Sequence, residues 1–167
     1  MQLRKYSPKK DFGALVDLVR EFCIEQRKIS GKPQIYSRKK AIESVKNDFP
    51  PSATNITIIA EEKGKKIGYL RLKKLEGSWF MRELSVIKEY RGKGVGTRLF
   101  KKAVSLLRQK RVPALYLGVL SSNSNALFFY RELGMNRINS IELELRLDRK
   151  KLKKHGKIKI DKISFEY

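Results

Sequence analysis

The stretch Leu84 to Thr97 most constrains what this chain can fold into. It reads Leu-Ser-Val-Ile-Lys-Glu-Tyr-Arg-Gly-Lys-Gly-Val-Gly-Thr and sets glycines at alternate positions, Gly92, Gly94 and Gly96, between a strand-like segment and an amphipathic run. Glycine lacks the Cβ that would hold backbone N–H groups away from a ligand, and a helix start adds unpaired N–H groups and the positive end of a dipole. Strand, glycine turn and helix in that order read either as an anion cradle or as a tight turn that needs flexible residues. Two familiar glycine loops are excluded. A Walker loop ends in Gly-Lys-Ser/Thr, absent here, and a dinucleotide fingerprint spaces its glycines Gly-x-Gly-x-x-Gly rather than Gly-x-Gly-x-Gly.

The rest of the chain predicts an α/β fold of the α+β kind, a mixed central β-sheet of about 6–7 strands flanked by about four helices. Gln2 to Tyr6 alternates weakly as a first strand. Ser7-Pro8 is a helix start, followed by Phe12, Leu15, Val16, Val19, Phe22 and Cys23 at helical spacing, which makes Cys23 a packing residue. Gly31-Lys32-Pro33 breaks that helix, and Ser37 caps a shorter one through Ile42 and Val45. Ile56 to Ala60 and Lys66 to Leu75 form a hairpin across Lys63-Gly64, and Ser78 to Ile87 is a third strand leading into the glycine loop. A helix then runs to about Lys110. Ala114 to Leu120 reads as a buried strand parallel to the one before the loop, because a crossover helix separates them. Ser124 to Leu133 is a helix stopped by Gly134. Ile141, Leu143, Leu145 and Leu147 alternate as a half-buried strand, and Ile158 to Phe165 makes a last one. No repeat or linker divides residues 1–167, so a single domain is expected.

Arg-x-x-Gly-x-Gly from Arg91 to Gly96 resembles the acetyl-CoA signature of the GNAT superfamily of N-acetyltransferases. A second stretch, Asn123-Ser-Asn-Ala126-Leu-Phe-Phe-Tyr130-Arg-Glu-Leu-Gly134-Met135, is also similar to that family, with Met135 where phenylalanine is usual. The resemblance implies a single-domain GNAT-like fold over 1–167, an acyltransferase activity and acetyl-CoA as cosubstrate. It implies that the backbone of Leu84, Ser85 and Val86 pairs with the pantetheine arm. The N–H groups of Gly92, Gly94 and Gly96, with Arg91, Lys93, Val95 and Thr97, would hold the pyrophosphate. Asn123 would bond the arm from the other side, with Ala126 allowing close approach. Tyr130 stands where many members donate a proton to the CoA sulfur, and a phenol suits that role as a donor near neutral pH.

Acetyl transfer to an amine needs a neutral amine, a polarised thioester and a proton for the thiolate. Several members carry the general base four or six residues ahead of the valine matching Val86, where this chain has Arg82 and Phe80. Glu83 lies three ahead. Strict alternation turns it to the other face, and a bulge, frequent in that strand, would restore it. Glu83 is therefore either the general base or a salt-bridge residue beside a water relay. By the same resemblance, the segment Lys28 to Ser37 between the first two helices borders the acceptor.

Cys23 and His155 are the only cysteine and histidine, which excludes an internal disulfide and predicts no metal site. No apolar run reaches the roughly 20 residues of a membrane span, nor does a signal peptide open the chain, so a cytoplasmic protein without a membrane partner is expected. Lys and Arg number 39 against 17 Asp and Glu, a formal net of +22 spread along the chain. This field is either a solubilising surface or an attraction for polyanions. The expected partners are acetyl-CoA and an amine acceptor, a small molecule or a peptide or protein amine. A homodimer fits as well. The alternative is a CoA-binding or degenerate fold acting as a basic nucleic-acid or ribosome-associated module, or an acetyltransferase acting on aminoacyl-tRNA.

Overall fold

The structure, a computed structural model, describes residues 1–143, 156–160 and 163–166. The chain divides into two compact units, one of residues 1–26 and 34–118, the other of residues 27–33 and 119–167.

The first unit is built on a five-stranded sheet. Strands β1 (Gln2–Lys5), β2 (Asn55–Glu62), β3 (Lys65–Leu75) and β4 (Ser78–Val86) pair antiparallel in that order, and β5 (Leu115–Tyr116) adds in parallel to β4. Both hairpins turn on two residues of positive φ, Lys63 and Gly64 at 48° and 80° and Glu76 and Gly77 at 47° and 84°. Such turns match the right-handed twist of the strands they join.

Helix α1 (Pro8–Ile29) begins where Ser7-Pro8 predicts. The Ser7 carbonyl accepts from the N–H groups of Lys10 and Asp11. The Asp11 carboxylate accepts from the Ser7 N–H at 2.9 Å and from both Arg4 Nη atoms at 2.6 and 2.7 Å. Arg4 also reaches Glu61 of β2, so one guanidinium ties the helix start to the edge strand β1 and its neighbour β2. Helix α2 (Arg38–Asp48) is capped by Ser37, whose hydroxyl accepts from Lys40 N–H.

Tyr69, wholly buried, meets Phe22 of α1 and Phe49 after α2 edge-on at ring distances of 6.4 and 5.9 Å. Its face of the sheet therefore carries α1 and α2. Alternation leaves Leu70 and Leu72 to the opposite face, where α3 (Val95–Gln109) packs through Leu99, Ala103 and Leu107. Each fully buried leucine contributes about 2 kcal/mol over an exposed one.

The second unit contains α4 (Ser124–Glu132) and an antiparallel hairpin of β6 (Lys157–Ile160) and β7 (Ile163–Glu166). The α+β class and four helices agree with expectation, but the central sheet has five strands among the described residues, not six or seven. The last expected strand, Ile158 to Phe165, falls instead on two strands, β6 and β7, paired antiparallel. The strand expected over 114–120 is two residues long and half-buried, because β5 finds a partner only at Trp79 and Phe80. Ile141 to Leu143 is irregular, and the remainder of that expected strand lies outside the described residues.

Candidate active site

The short pairing of β5 opens the site. Trp79 and Phe80 of β4 face Leu115 and Tyr116, and from Glu83 to Val86 the one strand beside β4 among the described residues is β3. The Ile87 N–H donates to the Ile67 carbonyl at 3.0 Å. Antiparallel alternation then turns the backbone of Ser85 toward Tyr69 in β3 and that of Leu84 and Val86 outward, to the open edge. Of the three residues expected to offer their backbone to a ligand, Ser85 is committed to the sheet. Gly68 permits this register, since a Cβ there would stand 2.6 Å from the Ser85 carbonyl oxygen.

Beyond the edge, one 3-10 turn (Lys88–Tyr90) leads into the glycine loop. Gly92 and Gly94 have φ of 71° and 75°, and a Cβ at either would meet nothing within 4 Å, so glycine serves the left-handed turn here rather than relieving a clash. Gly94 is the N-cap of α3 and no side chain caps that helix. Among the described residues none of the backbone N–H groups of 92–97 donates to a backbone carbonyl, while the Arg98 N–H closes the first turn on Gly94. The loop therefore presents a run of unpaired donors at a helix N-terminus.

Arg91 is not aimed at that run. Its Nε donates to the Val86 carbonyl at 2.8 Å, and Nη1 and Nη2 donate to the two carboxylate oxygens of Glu25 in α1 at 2.6 and 2.7 Å. Lys93 is exposed, its Nζ 5.2 Å from the Tyr90 ring centre, and Val95 and Thr97 stand in the first turn of α3.

Glu83 is tied down on both oxygens. Tyr69 donates to Oε2 at 2.5 Å, and Arg71 Nη2 lies 3.1 Å from Oε1. A bulge does occur in β4. Arg71 faces Glu83 while Leu72 faces Met81, which leaves Arg82 as the extra residue. It precedes Glu83, so it sets Glu83 and Met81 on opposite faces and leaves Glu83 on the Tyr69 face, with α1 and α2, away from that of Val86. Burial raises the Glu83 pKa above the ordinary carboxylate range, with Arg71 and the Tyr69 hydroxyl opposing that rise.

In the second unit the Asn123 side chain caps α4 by accepting from the Ala126 N–H at 3.2 Å. Asn-x-x-Ala is thus the spacing of N-cap to N3. At the other end Met135 N–H bonds the Tyr130 carbonyl and Gly134 N–H the Arg131 carbonyl, with Gly134 at φ 91°, a Schellman close. Tyr130 is half-buried, and desolvation pushes its phenol up to about 12, so it keeps its proton throughout the neutral range.

Tyr69, Arg71, Glu25 and Gly68 are site residues that sequence reasoning missed. Tyr69 and Arg71 stand in the alternating run of β3, but their pairing with Glu83 depends on a cross-strand register that no local pattern encodes.

The sequence pattern that defines the acetyltransferase (GNAT) family matches residues 16–135. N-alpha-acetyltransferase 60 of Xenopus tropicalis is 33% identical over 131 residues, 69% of this chain and 53% of that protein, so the chain spans about half the length of this curated relative. Among solved structures, the PaiA N-acetyltransferase of Thermoplasma acidophilum in complex with coenzyme A aligns with a TM-score of 0.61 at 21% identity, covering 79% of this chain and 87% of that one. The aminoglycoside antibiotic 6'-N-acetyltransferase of Acinetobacter haemolyticus aligns with a TM-score of 0.68 at 13% identity, covering 89% and 100%. At these identities the two structures speak for the fold.

Proposed function

The chain belongs to the acetyltransferase (GNAT) family, and from that premise we propose that it is an acetyl-CoA-dependent N-acetyltransferase that passes the acetyl group to a primary amine by direct attack in a ternary complex. One observation carries the reading: the open edge of β4 at Leu84 and Val86 runs straight into a glycine loop of unpaired N–H groups at the uncapped start of α3. An amide-bearing arm pairs with the first, and a pyrophosphate suits the second. Gly92, Lys93, Gly94, Val95, Gly96 and Thr97 hold the phosphates through backbone donors, the Lys93 ammonium and the Thr97 hydroxyl.

In the transfer the amine nitrogen forms a bond to the thioester carbon as the carbon–sulfur bond breaks. Glu83, held on the Tyr69 face by Tyr69 and Arg71, takes the proton the amine gives up through a relaying water, and burial makes it a stronger base than an ordinary carboxylate. Tyr130 returns a proton to the sulfur, a role taken from the family motif in which it stands. Asn123 and Ala126 complete the same motif.

The name of the 33%-identical relative points to a peptide α-amine as the acceptor to test first. The chain's own +22 charge disfavours a polycationic acceptor such as an aminoglycoside. No helix among the described residues is long and apolar enough to cross a membrane, and a cytoplasmic setting belongs to this reading. The test is calorimetric titration with acetyl-CoA. Saturable binding lost in the variant Gly94→Val supports the site, and no saturable binding by the unaltered chain removes it.

A second reading, a basic nucleic-acid-associated module, has one observation in its favour. The solvent side of α3 carries Arg98, Lys101, Lys102 and Arg108, and the helix has no acidic residue. RNA binding with a steep salt dependence that disappears on reversing these four charges would favour it.

A further inference from the structure

The guanidinium of Arg91 bridges two elements that the transfer reaction needs held together. Three of its five N–H donors are in use, one on the carbonyl that ends β4 and two on the carboxylate of Glu25. The Val86 carbonyl faces the open edge of β4, so the Nε bond takes one acceptor off that edge. The edge is left with the N–H and carbonyl of Leu84 and the N–H of Val86. Glu25 cancels the charge of Arg91. Glu21 on the same helix and Glu89 in the turn add two further carboxylates nearby, and all three act to hold the guanidinium protonated. The Arg91 side chain is thus engaged with a carbonyl and a carboxylate, and the unpaired donors lie on the backbone a few residues on.

We propose that Glu25 is a positioning residue of the coenzyme site, a strap that pins Arg91 across the end of β4 and thereby leaves the pyrophosphate to the loop N–H groups and Lys93. The proposal rests on the coenzyme reading above and reverses the role that the Arg-x-x-Gly-x-Gly signature assigns to its arginine. Both side chains are about 40% exposed, at 42% and 38%, so the pair adds little to overall stability. Its effect is geometric. It fixes the angle at which the loop leaves the strand, and a planar two-pronged contact is the kind that fixes an angle.

The two roles for Arg91 predict opposite signs. If Glu25 is a strap, Glu25→Gln loosens the loop, raises Kd for CoA and KM for acetyl-CoA by about three- to tenfold, and leaves kcat within about twofold. If Arg91 is instead the phosphate ligand, the same change frees it and tightens binding. Arg91→Lys separates them again, because lysine keeps the charge but cannot form the fork. The strap predicts that it behaves like Arg91→Ala, and that Glu25→Gln adds nothing in the Arg91→Ala background. Hydrogen exchange on residues 87–98, measured without coenzyme, reads the strap independently, with faster exchange expected in Glu25→Gln. Tighter CoA binding by Glu25→Gln, full affinity in Arg91→Lys, or unchanged exchange would overturn the proposal. An unaltered chain that binds no CoA overturns the coenzyme reading instead, and the exchange measurement still judges the strap.

Discussion

The Tyr69 hydroxyl donates to Glu83 Oε2 at 2.5 Å, across the register that pairs β3 with β4. Tyr69 has no exposed surface, and burial together with the adjoining Glu83 charge raises its own pKa well above 10. It therefore stays a donor in the neutral range, and its hydrogen bond favours the ionised carboxylate against the opposing effect of burial. Removing that donor in Tyr69→Phe lets burial raise the Glu83 pKa further. A base works only when ionised, so the acid limb of the pH–rate profile moves to higher pH. Rates measured from pH 5 to 9 check this, and a limb that stays in place in Tyr69→Phe takes Glu83 out of the role of base.

Tyr130→Phe removes one proton and nearly no volume. Turnover should fall by about a hundredfold, in the range of general-acid effects, with KM for acetyl-CoA within about twofold. Because burial pushes this phenol up to about 12, Tyr130 itself contributes no alkaline limb below roughly pH 10. An unchanged kcat would assign the proton to another group.

Gly68→Ala and Gly94→Ala separate two uses of glycine. At Gly68 the new methyl meets the Ser85 carbonyl oxygen at 2.6 Å and the Val86 Cα at 3.2 Å, so β4 must shift. A cost of about 1–3 kcal/mol follows, with weaker CoA binding because the shifted residues border the open edge. At Gly94 the surroundings are empty but φ is 75°, which costs about 1–2 kcal/mol in backbone strain. Thermal melts and CoA titrations of both variants test the distinction.

Asp11 is a buried carboxylate held by Arg4, whose hydrogen bonds keep its pKa below the ordinary value against the opposing effect of burial. Asp11→Asn leaves Arg4 with half its pairing and should cost about 3 kcal/mol, roughly 6–12 °C in Tm for a chain of this size. The sign with pH follows from the depressed value. The carboxylate adds stability that is complete above the ordinary carboxylate range and is lost as pH falls through the folded pKa. The acid side of the melting curve should therefore flatten in Asp11→Asn relative to the unaltered chain.

Much of the fold was legible because its signals are local. Ser7-Pro8, Ser37 and the glycines at 92, 94 and 134 act within one turn of themselves, and the structure uses each as helix caps and turns are used. The second motif turns out to be helix grammar too, with Asn123 and Ala126 as N-cap and N3 and Gly134 and Met135 as the Schellman close. What stayed hidden is non-local. The two-residue length of β5 depends on what β4 offers after Phe80, and the ends of an apolar run do not disclose that. The partners of Glu83 depend on register, and the grip of Glu25 on Arg91 joins residues 66 apart in sequence.

Acetyl transfer is tested most directly by mass-spectrometric detection of acetylated product from acetyl-CoA and paired peptides, one with a free α-amine and one with that amine blocked. The chain is expected to add one acetyl group to an amine-bearing peptide and release one CoA per product, at a rate that falls about a hundredfold in Tyr130→Phe. Saturable acetyl-CoA binding with no transfer to α-amine, lysine side-chain or small-amine acceptors would contradict this expectation, and would leave the chain a coenzyme-binding module.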